Sequence, residues 1–205
     1  MRLSSKSKIT QAKASSPTIF AQIAQPEKNY LAIPEVSSER RDYIPIGFID
    51  SRVIASNTIQ LIPNATPYIF GVITSSMHMV WMALVCGRLE SRYRYSNSIV
   101  YNNFPWPKDP GDKQKVETCA QAVLDTRERY PDSSLADLYD PLTMPPDLVK
   151  AHQQLDRAVD RCYRPQPFTS ERNRIEYLFE LYEQYTAPLL AAEQSKGKKS
   201  RKKKG

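Results

Sequence analysis

Twenty consecutive residues, Pro67 to Cys86 (PYIFGVITSSMHMVWMALVC), carry no formally charged side chain. A run of that length and apolarity has to be buried, either in a bilayer or in the middle of a folded core. Thr74, Ser75, Ser76 and His78 sit together at its centre, and the chain has no second run like it. Those polar groups favour a buried helix in a soluble protein over a membrane span. Ile69, Val72, Ile73, Met77, Val80, Trp81 and Leu84 recur at helical spacing. Pro67 suits a first helical turn after Thr66, and Gly87 is placed to stop the helix. The expectation is one long buried helix over 66–86, with no membrane partner.

What precedes it reads as short strands. Tyr30–Ile33, Tyr43–Ile49 and Val53–Ile62 are β-branched or aromatic runs punctuated by Ser, Asn, Asp and Pro. Residues 34–41 between the first two read as a polar loop. Residues 1–26 have four basic residues, no acid and little periodicity, and read as a loose lead-in in which Ile19, Phe20 and Ile23 could start a strand or docking segment. After the helix, Ile99-Val100-Tyr101 predicts a short strand. Asn102-Asn103-Phe104-Pro105-Trp106-Pro107 cannot continue regular structure. A domain boundary is expected near residue 108, with Trp106 as its plug and Met77, Trp81 and Phe104 in packing roles.

Residues 109–193 read as helices. Asp112 can cap one running to about Tyr130, and a shorter one covers Ser134 to Tyr139. Pro145-Pro146 opens a third, whose Leu148, His152, Leu155, Val159 and Cys162 share a face. Thr169 or Ser170 can cap a fourth. This segment has sixteen acids against ten bases, a net of −6. Residues 194–205 (QSKGKKSRKKKG) add seven cations and no acid, and read as a disordered tail. They account for all of the chain's formal +7.

Enzyme signatures do not emerge. The six glycines form no phosphate- or dinucleotide-binding loop, and there is no G-x-S-x-G elbow. His78 and His152, the two histidines, lie on apolar helix faces and read as hydrogen-bonded core residues. Cys86, Cys119 and Cys162 have no metal-ligand spacing and read as reduced thiols of a cytoplasmic protein. No catalytic residue and no metal site is expected.

One segment does suggest chemistry: Gly87-Arg88-Leu89-Glu90-Ser91-Arg92-Tyr93-Arg94-Tyr95-Ser96-Asn97-Ser98. It reads either as an exposed edge strand of mixed charge or as a nucleic-acid contact. Arg can donate two bonds to guanine O6 and N7, and Glu can accept from cytosine N4. Glu90 and Arg92 are two apart, so on an extended segment they point the same way and could face one C·G pair, with Arg94 beside them. Arg88, Tyr95, Ser96 and Asn97 are types that hold phosphates and sugars. Ser37, Ser38, Arg40 and Arg41 could add backbone contacts, or form a plain solvated turn.

Several runs closely resemble the C-terminal part of MmeI-like (type IIL) restriction–modification enzymes and their adenine-methyltransferase relatives. They are Ser75-Ser76-Met77-His78-Met79 to Trp81, Cys86-Gly87-Arg88-Leu89, Tyr93-Arg94-Tyr95-Ser96 and Val100-Tyr101-Asn102-Asn103-Phe104-Pro105-Trp106-Pro107. Tyr30–Pro34 with Ser37-Ser38-Glu39-Arg40-Arg41 is similar to the family's target recognition domain. Leu138-Tyr139-Asp140-Pro141, Met144-Pro145, Ala151-His152 and Leu155–Asp160 resemble its helical C-terminal domain. The resemblance covers roughly residues 19–185. It implies phage-defence DNA modification, with site selection on double-stranded DNA. It also implies an S-adenosylmethionine-dependent N6-adenine methyltransferase upstream, fused to a nuclease in some members. The Asn-Pro-Pro-aromatic catalytic motif and the cofactor glycine motif are absent here, and the only Pro-Pro is Pro145-Pro146. Glu35 stands where the family leads one to expect a basic residue, which puts a phosphate contact there in doubt.

The expected fold is therefore α+β: a partial target recognition domain over 27–108, with short strands and one long buried helix, then an all-α domain over 109–193. The expected function is DNA sequence recognition for a methyltransferase supplied by another domain or a separately encoded subunit, with no cofactor bound by this chain. The rival reading is a non-catalytic interaction module or inactive remnant docking on another polypeptide through its acidic helices, since an acidic rear half repels DNA.

Overall fold

The charge-free run is buried, but it is two helices. The computed structural model describes residues 3–15, 25–108 and 111–202, with side chains of the last helix described as far as Pro188. Pro67–Ile73 and Ser76–Val85 form separate helices bent 55° apart. Thr66 caps the first, its hydroxyl accepting from the Ile69 N–H at 3.3 Å. Helical spacing continues across the break, so periodicity alone predicts one helix. The break comes from hydrogen bonds. The Ser75 hydroxyl donates to the Val72 carbonyl at 2.6 Å, and the Asp156 carboxylate, eighty residues on, accepts the Ser76 N–H at 2.8 Å. Asp156 thus takes up an orphan donor at the start of the second helix, where negative charge also complements the dipole. No single helix among the described residues is long and apolar enough to cross a membrane.

With these named α2 and α3, a short α1 (Lys8–Ala12) precedes them in the lead-in, capped by Ser7 and burying nothing. Ile19, Phe20 and Ile23 lie outside the described residues. Strands β1 (Tyr30–Pro34), β3 (Gly47–Ile49) and β4 (Ile59–Pro63) form an antiparallel sheet in the order β3-β1-β4. The strands expected over 43–49 and 53–62 are therefore shorter than their apolar runs. Tyr43, Ile44 and Ile46 instead enter the core from a non-strand segment, while Val53 and Ile54 are exposed. A second sheet, β2-β6-β5, joins Val36–Ser37 to the hairpin Gly87–Leu89 and Arg92–Arg94. The expected polar loop over 34–41 thus contains a strand. Glu35 is the junction: its N–H bonds Thr58 (2.8 Å) beside the first sheet, and its carbonyl accepts from Tyr95 (2.7 Å) beside the second.

Ile99-Val100-Tyr101 is not a strand. Asn97–Tyr101 makes one wide helical turn, closed by the Asn102 N–H on the Asn97 carbonyl at 2.8 Å. The turn buries Val100 and aims its carbonyl at the Trp81 indole N–H, 3.1 Å away.

The rear half is helical: α4 (Lys113–Arg127), α5 (Leu135–Leu138), α6 (Pro146–Tyr163) and α7 (Glu171–Lys202). Asp112 and Ser134 cap the first two, and the Ser170 hydroxyl accepts from the Asn173 N–H at the start of α7. The expected disorder of the tail is not what the backbone does over 194–202, which continues α7. Lys and Arg are good helix formers, and cations complement a helix C-terminus. Residues 203–205 lie outside the described residues.

The two halves share one hydrophobic core. Gly71 lets α2 lie directly on α4 and α6; a Cβ there would stand 2.8 Å from Val116 and 3.2 Å from Ala120 and Leu155. Trp81 packs against Phe179 and Tyr182 of α7, and the Tyr185 hydroxyl donates to the Trp106 carbonyl at 2.7 Å. Arg127 is buried and reaches across the halves to the Ile46 carbonyl at 2.8 Å. The same guanidinium bonds the Tyr139 hydroxyl and faces the Phe70 ring. Tyr43 donates to Asp156 at 2.7 Å and stacks on His152.

Candidate nucleic-acid interface

The singled-out segment is a hairpin that projects from the end of α3. Pairing of Gly87 with Arg94, Arg88 with Tyr93 and Leu89 with Arg92 leaves Glu90 and Ser91 as a two-residue turn. Glu90 sits at φ 58°, a left-handed conformation that Gly or Asn usually takes in such turns. Extended-strand alternation is thus not what aligns Glu90 with Arg92. The turn brings them together, with the Arg92 guanidinium 2.8 Å from the Glu90 carboxylate. Both are open to solvent, with side-chain exposures of 77% for Glu90 and 46% for Arg92.

Arg92 and Arg94 alternate onto one face of β6. Arg94 does not stand free: its Nε lies 2.9 Å from the Glu35 carboxylate. The acid that departs from the family's expected basic residue is therefore an ion-pair partner of a proposed base-reading residue. Nothing in the sequence signals this pairing, because the two are fifty-nine residues apart.

On the other face the side chains serve the fold. Arg88 stacks over the Tyr93 ring at 4.3 Å, donates to Ser91 O at 3.0 Å and caps α3 at Ala83 O, 3.1 Å away. Tyr95 is buried and bonds His78 Nε2 at 3.0 Å, so it anchors the hairpin and cannot touch a phosphate. Burial raises its hydroxyl pKa well above the ordinary tyrosine value. Ser37, opposite Tyr93 in the second sheet, is also buried. Arg41 turns inward to the carbonyls of Tyr139 and Ala136, both at 3.2 Å. Burial takes Tyr95 and Ser37 out of the expected backbone contacts, while Arg88 and Arg41 spend donors on carbonyls of the fold. Each arginine satisfies a neighbour that folding had already placed.

Arg40 remains exposed. Ser38 is half-buried, its hydroxyl accepting from the Arg40 N–H at 3.2 Å. Glu39 lies against the hairpin. Its carboxyl is held below the ordinary value by its own backbone N–H first, then by the Ser91 hydroxyl and the charges of Arg40 and Arg88. The 37–41 loop and the hairpin turn thus form one surface. Ser96 pairs with Ser98 at 2.9 Å, and Asn97 opens the wide turn with its buried side-chain oxygen unpartnered.

Elsewhere, among the described residues, no group of three or more His, Cys, Asp or Glu side chains could hold a metal. Both histidines are buried beside tyrosine hydroxyls, His78 next to Tyr95 and His152 next to Tyr139. The Tyr139 oxygen accepts from Arg127, so its proton points to His152 Nε2, 2.6 Å away.

Comparison with known proteins agrees with this geometry. The family model described as MmeI, target recognition domain, matches residues 1–108, and that described as MmeI, C-terminal domain, matches 108–190. DNA methyltransferase A of Bacillus subtilis (strain 168) is 40% identical over 186 residues, which are 90% of this chain and 21% of that protein. A solved structure of the type IIL restriction-modification enzyme MmeI in complex with DNA superposes with a TM-score of 0.85 at 52% identity. That match covers 91% of this chain and 25% of the enzyme, so this chain spans about a quarter or less of either relative.

Proposed function

Since the chain belongs to the MmeI family and matches its target recognition and C-terminal domains, we propose that it reads DNA sequence for a site-specific N6-adenine methyltransferase or restriction–modification enzyme. The observation that carries this reading is the Glu90–Arg92 pair, preformed at 2.8 Å on an exposed turn. It presents a carboxylate acceptor beside a guanidinium fork, the groups that suit cytosine N4 and guanine O6/N7 of one C·G pair in the major groove. Arg94 flanks the pair and would be released from Glu35 or hold it at the interface. Arg40 and Ser38 remain as backbone-positioning residues in the 37–41 loop, and Ser96 and Asn97 at the base of the hairpin.

The catalytic motif and S-adenosylmethionine belong, in this reading, to a methyltransferase portion in another domain or a separately encoded subunit. Among the described glycines none takes a positive φ, and Cβ atoms at Gly47 or Gly71 would meet packed side chains, which supports placing the cofactor's glycine loop outside this chain. The chain would work in the cytoplasm, where its three free cysteines stay reduced.

The test is selection from a randomised duplex pool by the full chain at two salt concentrations, followed by Arg92→Ala. The expected result is an enriched short motif whose preference relaxes at one base pair, at a cost of about 1–3 kcal/mol. A uniform loss over all sequences would make Arg92 a phosphate contact. No enrichment at either salt concentration refutes recognition by this chain.

A further inference from the structure

A carboxylate of the helical half fixes the start of the helix that carries the hairpin. Asp156 on α6 is buried; one of its oxygens accepts from the Ser76 N–H at 2.8 Å and the other from the Tyr43 hydroxyl at 2.7 Å. Taking a carboxylate out of water is costly, and stability alone does not call for one at this place. A local cap is at hand. Ser75 stands at the N-cap position of α3, but its hydroxyl turns back to the Val72 carbonyl and makes no cap bond. The start of α3 is thus tied to α6, eighty residues on, rather than to its own first turn.

Helix α3 and the hairpin form one body. Only Cys86 separates Val85 from Gly87. The Arg88 guanidinium returns to the Ala83 carbonyl at 3.1 Å, Tyr95 bonds His78 at 3.0 Å, and the Val100 carbonyl just past the hairpin accepts from Trp81 at 3.1 Å. Strand β2 holds the β6 edge of the hairpin, through Val36 with Arg94 and Ser37 with Tyr93, while α3 runs into the β5 edge. The pitch of the turn between those edges therefore follows the direction of α3. That direction is set at the Ser76 end, where α3 leaves α2 at 55°. The helix has ten residues. At 1.5 Å per residue it is about 15 Å long, so a tilt of about 10° at Ser76 would displace its far end by about 2.6 Å. A side chain that reads a base has to be held within about 0.5 Å of its working place.

We propose that Asp156 is a positioning residue for base reading: from inside the helical half it sets the direction of α3, and so the aim of Glu90 and Arg92. The inference rests on the proposed recognition function and deepens it. The role is one of aim and not of contact, because Asp156 is buried at one end of α3 while the Glu90–Arg92 pair stands beyond the other. Tyr43 completes the arrangement. Its hydroxyl takes the second carboxylate oxygen, and its ring stacks on His152 of the same helix, so the carboxylate is held from the side away from Ser76.

The test uses the full chain and reads two affinities: for the selected motif against the same duplex altered at the pair that Arg92→Ala relaxes, and for a random duplex. Asp156→Ala should lower the preference at that pair about tenfold. Its affinity for random duplex should stay within about threefold, since phosphate contacts carry that binding. Asp156→Asn keeps the shape, with an oxygen to accept from Ser76 and an amide to donate to the Tyr43 oxygen, and should keep the preference. Asp160→Ala breaks a pair on the same helix whose bonds go to Arg174 and not to α3; it should lower stability and leave the preference alone. Ser76→Pro combined with Asp156→Ala removes the donor together with its acceptor. Proline suits a first helical turn, and Ser75 is already extended, as a residue before proline prefers. This double variant should be more stable than Asp156→Ala in urea melts and should still lack the preference, a separation that a merely structural role would not produce. It also carries the test if Asp156→Ala alone does not fold. Wild-type preference in the double variant, or an equal loss in Asp160→Ala, overturns the positioning role while Arg92→Ala still relaxes the motif. A wild type that enriches no motif overturns the recognition reading and this proposal with it.

Discussion

Acidification should destabilise this protein through its buried histidines, and His78 allows the size to be worked out. Its ring is fully buried, with Nε2 at 3.0 Å from the Tyr95 hydroxyl and Nδ1 without a partner. Burial pushes its pKa down to about 3. An unfolded histidine titrates near 6.5. Between those values the unfolded chain binds a proton that the folded chain refuses. The contribution is therefore fully present above about pH 6.5 and is lost as pH falls toward 3. At 1.36 kcal/mol per unit, the loss at pH 5 is about 2 kcal/mol. His152 acts in the same direction, its pKa lowered by burial first and by the Arg127 charge second. Asp156 opposes both: burial raises its pKa, so its protonation favours the folded state as pH falls. Comparing wild type with His78→Gln isolates one histidine from the rest. Urea unfolding at pH 7 and pH 5 should show a pH penalty about 2 kcal/mol smaller in the variant, whatever the variant's own stability. Equal penalties would mean that His78 is not held neutral. Because Tyr95 directly follows Arg94, the same protonation should loosen the hairpin, and DNA binding should weaken before global unfolding.

Gly71→Ala gains about 1 kcal/mol in helix propensity but forces a Cβ to 2.8 Å from Val116, and overpacking costs about 1–3 kcal/mol. The expected result is a net loss of up to ~2 kcal/mol in urea melts, and a gain would show that α2 can move off α4. Tyr43→Phe removes one of the donors to the buried Asp156 carboxylate and should cost about 1.5–3 kcal/mol by the same measurement, since bonds to charged groups lie in that range. Glu35→Lys frees Arg94 and adds a cation beside it; stability should fall by about 1 kcal/mol, since Arg94 is exposed although Glu35 is only 20% so. Duplex affinity should rise and the salt dependence should steepen by about 1 or more, and weaker DNA binding would argue against a phosphate near this corner.

The rear helices were legible in the sequence because local groups delimit them: the Asp112 and Ser134 caps, Pro146 at a first turn and Ser170 before α7. The front half was less so, because distant partners decide its local structure. The bend between α2 and α3 depends on Asp156, eighty residues away. Ile99-Val100-Tyr101 has strand composition, but it follows a hairpin whose neighbouring strand is already taken, and Trp81 captures the Val100 carbonyl. Among the proposed contacts, residue type alone could not separate Arg92, exposed on a turn, from Arg88 and Arg41, which fasten the hairpin and loop to the body. An arginine offers the same donors to a carbonyl as to a phosphate. Only the surrounding fold decides which one it meets.

The hairpin turn itself argues that its sequence is not set by stability. A left-handed conformation costs a residue with a side chain about 1–2 kcal/mol, and Glu90 holds one at φ 58°. Its ion pair with Arg92 is open to solvent, and exposed pairs return about 0–1 kcal/mol. Glycine at that position would remove the strain and forfeit little. The same glycine would also remove the carboxylate, the one acceptor that the turn sets beside the Arg92 fork. Local strain that the fold does not need, at the tip of an exposed element and next to a preoriented arginine, supports the proposed base-reading role of the pair. The neighbouring turn residue is consistent with this division of labour: Ser91 uses its carbonyl to hold Arg88 and its hydroxyl to hold Glu39. The scaffold contacts leave the tip at Ser91, and Glu90 and Arg92 are left facing outward.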